Sequence, residues 1–387
     1  MRRYISQKFK LLDKWIAIPF FTLILFSILM DYSASSYSAM KTFGNPNHYL
    51  MRQIFNVVLS LILASVVYLF PFRALKNKKF IIFGTFFIFL LLLAVFFFKP
   101  NLGARRWIPL GFIDIQPSEF AKLFVIWYLA YIFSRNQRGL NYNFWVTVFR
   151  PVVLVTVIAF LIYMQPDTGT AIILALMVLI IVSASGAPMK YGLLFITGTI
   201  LLGSLLLFIV YTFGEDIPQL SYRYDRFLGL WDPFRYQESH GHQLVNSYYA
   251  LNRGGFFGVG IGNSIQKTGY LPFPYTDFIV AIVGEEFGLI GIFGVLASLG
   301  TIIGRSFYLG SKSKDSFNGL IFIGVASMLL IQSLVNLAGI LGIIPISGVT
   351  FPILSYGGSS IMAVSISIAL ISNASRMERT VEKCKKQ

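Results

Sequence analysis

One cysteine, Cys384, and three histidines are all that 387 residues offer for sulfur chemistry or soft-metal ligation. A lone thiol rules out an intrachain disulfide, so the fold rests on packing. His48, His240 and His242 stand in no zinc-binding spacing. Charge is scarce too: charged residues make up 12% of the chain, where soluble domains carry about 25%. Nucleotide motifs are also missing. Glycines 255, 258, 260 and 262 resemble a dinucleotide fingerprint, but Asn263 stands where its last glycine belongs and no strand–turn–helix frame surrounds them. Ser311–Lys314 meets the Ser-x-x-Lys formula of penicillin-binding enzymes only formally, in a short link with no catalytic domain around it.

What the chain has in abundance is apolar length. Hydrophobic residues are 56% of it, and runs such as Phe80–Phe98 have the length and near-absence of charge of a membrane span. The pattern predicts an all-α polytopic bundle forming a single domain over 1–387. Its ten or so spans fall near 15–33, 52–71, 79–98, 117–134, 147–165, 169–186, 190–213, 276–304, 317–343 and 350–373. The first run has no small-residue cleavage site after it and reads as a retained span.

Lys and Arg number 32 against 16 acids. They crowd into the 1–14 segment, the links after spans two, four and eight, and the 374–387 tail. The positive-inside rule makes that face, with both termini, cytoplasmic. The excess is therefore a topology signal and an attraction to anionic lipid heads, and nucleic acid is excluded as a partner. The other face carries Lys99–Lys122 and a long external loop, 214–275, between spans seven and eight. Rich in Tyr, Phe, Trp, Arg and Gly, that loop suits an interfacial or re-entrant segment.

Acids beside a span demand a reason, because a carboxylate at the centre of a membrane helix costs about 2.5–3.5 kcal/mol. In Tyr270–Ile290, YLPFPYTDFIVAIVGEEFGLI, Asp277 stands at the mouth of an apolar run with Glu285 and Glu286 deeper in. Pro272 and Pro274 mark a loop ending, Thr276 reads as the N-cap, and Asp277 falls in the first helical turn. Asp277 is either a reactive acid at the membrane–water boundary or simply a helix cap. Arg105 and Arg106, on the face poor in positive charge, can grip a diphosphate or snorkel beside Trp107. Glu119 and Lys122 share a helix face after the Gln116–Pro117–Ser118 start and can pair inside the bundle. Asp167 in QPDTGT is a ligand or a helix cap. Ser355, Ser359 and Ser360, around Gly357–Gly358, serve close helix packing.

Five ordered blocks then resemble one family. They are NLGARRWIPLGFIDIQPSEFAKL (101–123), QPDTGTA (165–171), GGFFGVGIGNSIQKTGYLP (254–272), TDFIVAIVGEEFGLIG (276–291) and QSLVNLAGILGIIPISGVTFPILSYGGSS (332–360). The chain is similar over nearly its whole length to the SEDS proteins (shape, elongation, division and sporulation), membrane glycosyltransferases that polymerise peptidoglycan from lipid II. The wording of 259–272 lies closer to the division branch than to the elongation branch. The resemblance implies an inverting glycosyltransferase at the outer face of the bacterial cytoplasmic membrane, acting in septal wall synthesis. Lipid II would be donor and acceptor, with a class B penicillin-binding protein and other divisome proteins as partners.

Asp277 matches the family's essential acid, and Glu119 with Lys122 its intrabundle ion pair. Arg105, Arg106 and Lys267 become candidates for the diphosphate, and Gln243 and Ser247 candidate substrate contacts. Glu285 and Glu286, with Asp167, Ser355 and Ser359, are supporting residues. A divalent cation (Mg or Mn) suits the diphosphate, and no organic cofactor is expected. Phe273 and Tyr275 stand where the family often has Glu and His, and His242 and Asn246 where Tyr and Gln are frequent, so none of the four takes a family role. A flippase for the same lipid is the competing reading, since intramembrane carboxylates and Gly/Pro-interrupted spans fit it as well.

Overall fold

The computed structural model describes residues 11–100, 105–111, 113–137, 145–186, 189–214 and 218–386. Arg2, Arg3, Lys8, Lys10, Arg138 and the 101–104 start of the first family block lie outside them. Twelve helices are labelled here in chain order: α1 Lys14–Phe43, α2 His48–Leu69, α3 Lys78–Ala94, α4 Pro117–Arg135, α5 Arg150–Met164, α6 Thr168–Ala184, α7 Met189–Phe213, α8 Pro218–Trp231, α9 His242–Gly254, α10 Ile279–Lys312, α11 Ser316–Ile340 and α12 Gly358–Lys386. A two-residue hairpin, β1 Ile108–Pro109 with β2 Asp114–Ile115, is antiparallel.

Seven helices are long and apolar enough to cross a membrane: α1, α2, α3, α5, α10, α11 and α12. With α4, α6 and α7 they make up the ten spans expected. α4 carries Glu119, Lys122 and Arg135, and α6 has only 17 residues. The two short helices of the external loop, α8 and α9, stand apart from these.

Burial sorts the bundle. Of the most apolar windows of α11 and α12, 72% and 89% is buried, against 22% for α3, whose Phe83 and Phe86 point outward. α11 packs against α10, α4 and α6, and α12 against α2. On the face that carries the termini, Asp13 caps α1, accepting from Trp15 N at 3.1 Å, and pairs with Arg305 of α10 and Arg379 of α12.

Three boundaries differ from the sequence expectation, each for a tertiary reason. α1 runs ten residues past the predicted end at 33, because its polar stretch finds partners inside the bundle: Ser33 Oγ donates to the Glu286 carboxylate at 2.7 Å. It stops only at Gly44, whose φ of 66° closes a left-handed C-cap onto the Met40 carbonyl. α12 starts at Gly358 rather than 350, leaving 341–357 as irregular chain over the outer end, and it stays helical through the expected tail to Lys386. α10 starts at Ile279, and Thr276 does not cap it; its hydroxyl bonds the Phe273 carbonyl, so Asp277 lies two residues before the helix.

α10 is also broken. Gly288 sits at φ 67° and ψ −165°, a conformation open to glycine almost alone. Polar backbone freed inside a membrane bundle must find new partners, and the 255–260 chain supplies them. The Val259 and Gly260 N–H groups donate to the Glu285 and Glu286 carbonyls at 3.0 Å, and Leu289 N donates to Gly255 O at 3.0 Å. A Cβ on Gly288 would meet Phe256 O at 2.4 Å. Gly288→Ala is therefore expected to cost about 3 kcal/mol or more from strain and clash together. Gly294→Ala, whose Cβ meets nothing within 4 Å, is the control on the same helix and should hold or raise the melting temperature. Equal melting of the two variants would show that the break is dispensable.

Candidate active site

Two loops meet over the outer end of the bundle. One is the 269–278 lead-in to α10 and the other the 341–357 chain before α12. Asn336 of α11 joins them, its Nδ2 donating to Asp277 O at 2.8 Å and Val349 O at 2.7 Å. Tyr356 N adds a bond to Tyr275 O at 2.9 Å, and the rings of Tyr49, Tyr275 and Tyr356 pack with centroids 4.7–5.6 Å apart. Phe273 and Ile353, one on each loop, hold positive φ of 51° and 66°. Such strain persists only where surrounding structure enforces it.

The Asp277 carboxylate is partly buried and faces two guanidiniums. A Cβ on Gly348 would sit 3.6 Å from both Asp277 Oδ2 and Arg106 Nη1, so acid and base flank the same glycine. Arg226 of α8 approaches from the external loop, with Nη1 bonded to the Ile346 carbonyl. Arg106 is 9% exposed; it donates to Pro166 O, while its Nε has no partner among the described residues.

Burial pushes the Asp277 carboxyl up to about 6, against the pull of Arg226 and then Arg106, with Asp167 adding a further push. An acid with that value exchanges protons readily near neutral pH. Burial raises the nearby phenols as well, Tyr356 to about 12 and Tyr275 further, so neither competes as a base. Neutralising the nearest cation, Arg226→Gln, removes the larger downward pull. The acid limb of a pH–rate profile should then move to higher pH; an unmoved limb would mean that Arg226 does not act on Asp277.

Of the other candidates, Glu119 and Lys122 pair at 2.9 Å and are buried together, and Lys122 Nζ also donates to Gln332 Oε1 at 2.8 Å. Gln332 in turn donates to the Thr350 carbonyl at 3.0 Å, so the pair braces the loop over the site. Asp167 is the N-cap of α6 and holds the start of α4, accepting from Ser118 Oγ at 2.9 Å and Gln116 Nε2 at 3.0 Å. Ser359 fastens the hairpin, donating to Asp114 O and accepting from Gln116 N, and Ser355 accepts from Phe351 N. Arg105 is exposed and donates to Phe96 O at 3.0 Å.

Lys267 is not at the site. It is 6% exposed, with Nζ 2.6 Å from Glu286 and 2.8 Å from Ser33 Oγ, and the pair ties the 264–268 turn to α10 and α1. Glu285 is likewise held, by Arg253 at 2.8 Å and Ile265 N at 2.9 Å. Ser247 is fully buried and donates to Leu244 O and Ile340 O, a packing contact between α9 and α11. Gln243 lines a small cleft with Arg226 and Ile346. The sequence reading missed Arg226 and Asn336. Arg226 had one visible signal, a cation in the aromatic SYRYDRFLGLW stretch of the external loop.

The divalent ion fits poorly here. Among the described residues no three His, Cys, Asp or Glu side chains converge, and the neighbours of Asp277 are guanidiniums, which repel a cation.

The family model described as Cell cycle protein, covering FtsW, RodA and SpoVE, matches residues 14–380. The chain belongs to this family. Among curated relatives of this SEDS protein is the probable peptidoglycan glycosyltransferase FtsW of Bacillus subtilis, 39% identical over 94% of the chain and 90% of that protein. Another is the FtsW of Lactococcus lactis, so described, at 38% over 97% and 95%. Among solved structures, a chain from work on a peptidoglycan synthase complex that coordinates polymerization and crosslinking superposes with a TM-score of 0.74 at 26% identity, covering 95% of this chain and 98% of that one. The rod shape determining protein RodA of Thermus thermophilus shares the fold, with a TM-score of 0.68 at 24% identity over 94% and 97% of the two chains.

Proposed function

We propose that this multi-pass membrane protein is a peptidoglycan glycosyltransferase that polymerises lipid II in septal wall synthesis. The observation that carries the reading is a carboxyl poised near neutrality between two guanidiniums, in a chain alike end to end with FtsW relatives. Ionised Asp277 takes the proton of the acceptor sugar hydroxyl. The freed oxygen attacks the donor's anomeric carbon from the side opposite the polyprenyl diphosphate, which leaves with the bonding electrons, so the configuration inverts. Arg106 and Arg226, with Arg105 at the rim, offset the charge that grows on the departing diphosphate. No step is routed through a metal. Leu25, Leu29, Tyr32 and Ile261 help line a groove of about 750 Å³ beside α1, apolar enough for part of a lipid chain.

The broken α10, with charged pairs at its break, is the observation that favours a lipid flippase instead. Purified protein in detergent separates the two, because a micelle has no opposed leaflets. Glycan strands formed there from labelled lipid II, with a class B penicillin-binding protein as partner, support the polymerase. Intact lipid II in detergent, with transfer between leaflets of vesicles, would replace it. The outward placement of Asp277 is tested in intact cells. A membrane-impermeant thiol reagent should spare Cys384 and label Ser239→Cys in a Cys384→Ser background; the reverse pattern would place the site inside.

A further inference from the structure

Every buried carboxylate described so far has a named partner, and Asp31 is the exception. It lies within α1, is 0% exposed, and neither of its oxygens has a hydrogen-bond partner among the described residues. The backbone N–H of Tyr356 faces it but is already given to the Tyr275 carbonyl at 2.9 Å. Arg52, the neighbouring cation, is engaged with the Tyr356 hydroxyl.

The surroundings of Asp31 are polar in a patterned way. Ser35 Oγ, Gln53 Oε1, Asn56 Oδ1 and Ser60 Oγ are also buried without partners among the described residues. Asp31 and Ser35 lie one turn apart on α1; Gln53, Asn56 and Ser60 lie on one face of α2. α1 and α2 form a packed hairpin joined at 44–47. Asp31 and Ser60 are each twelve residues from its connection, and Ser35 and Asn56 each eight, so the oxygens stand at matching heights on facing helices. The Asn56 amide also lies 3.1 Å from where a Gly358 Cβ would be, which brings the same group beside the start of α12.

We propose that these oxygens form a binding site for a small monovalent cation, sodium in size, between α1 and α2 beneath the outer loops. One carboxylate carries one negative charge, and the remaining ligands are neutral hydroxyl and amide oxygens. A divalent ion would be left with uncompensated charge in the bundle. A sodium ion neutralises Asp31 one for one and uses the hydroxyl and amide oxygens that helix packing leaves over. Bound there, it would link the α1–α2 hairpin to the Tyr356–Gly358 chain, which continues toward Gly348. The proposal holds whatever reaction the outer site performs.

The full chain, purified in detergent, is to be melted in sodium chloride and in N-methylglucamine chloride at equal ionic strength, with equilibrium binding of radioactive sodium measured alongside. Sodium should raise the midpoint by a few degrees, and unlabelled sodium, but not choline, should displace the bound isotope. Asp31→Asn should abolish both effects, and Ser60→Ala should weaken the binding several-fold. Should Asp31→Asn fail to fold, isotope binding by the parent and Ser60→Ala still decides. Equal midpoints with no displaceable isotope would overturn the proposal, as would sodium binding retained in full by Asp31→Asn.

Discussion

Asp277→Asn is expected to abolish lipid II polymerisation, lowering the rate by about 10²–10⁴-fold, the range a positioned general base supplies. Asparagine keeps the shape and the backbone bond from Asn336, so the loops stay joined. The effect on stability has a definite sign. The folded-state value of about 6 lies above the ordinary 3.8, so the folded protein binds more protons between them, and stability falls as pH rises through that window. Above it the penalty for burying the ionised acid is fully present; below about pH 4 it is gone. The Asn variant should therefore melt at or above the parent at pH 7.5, with the gap closing as pH falls toward 4. An inactive variant that is more stable than its parent marks a functional acid. A variant that melts well below its parent at pH 7.5 would make Asp277 a structural cap instead.

Lys122→Ala is expected to be the most damaging change away from the reacting groups. It leaves Glu119, 4% exposed, without its counter-ion, and breaking a buried pair costs about 3–5 kcal/mol. It also frees Gln332, whose amide holds the loop over the site through the Thr350 carbonyl, so activity should fall even in the fraction that folds. Removing both charges, Glu119→Gln with Lys122→Met, should cost less than the two single changes summed, because they share one interaction. A thermal-stability cycle in which the effects simply add would show that the pair contributes no coupling.

These two sites were legible in the sequence for different reasons. Glu119 and Lys122 are three apart after a proline-led helix start, and helical geometry alone places them side by side. Asp277 is an acid at the mouth of an apolar run, where few bland explanations survive. The spans were legible because membrane helices satisfy their own backbone, so apolar length alone identifies them. Lys267 was misread because its fate depends on Ser33 and Glu286, one of them more than two hundred residues away. A lysine on the outer face looks available until that pairing is seen. The break at Gly288 was hidden because glycine is common in membrane helices, and only the 255–260 chain makes this one a discontinuity. Asn336, in a run that reads as ordinary helix, gave no local hint that its amide would clamp two loops.

The most direct test of the account is the pH dependence of lipid II polymerisation by the purified protein with its transpeptidase partner, under conditions where chemistry limits the rate. The account predicts a rate that rises about tenfold per pH unit at low pH and levels off above an apparent value near 6, with the limb moved upward in Arg226→Gln. A rate flat from pH 4.5 to 8, or strands made at an undiminished rate by Asp277→Asn, would contradict it.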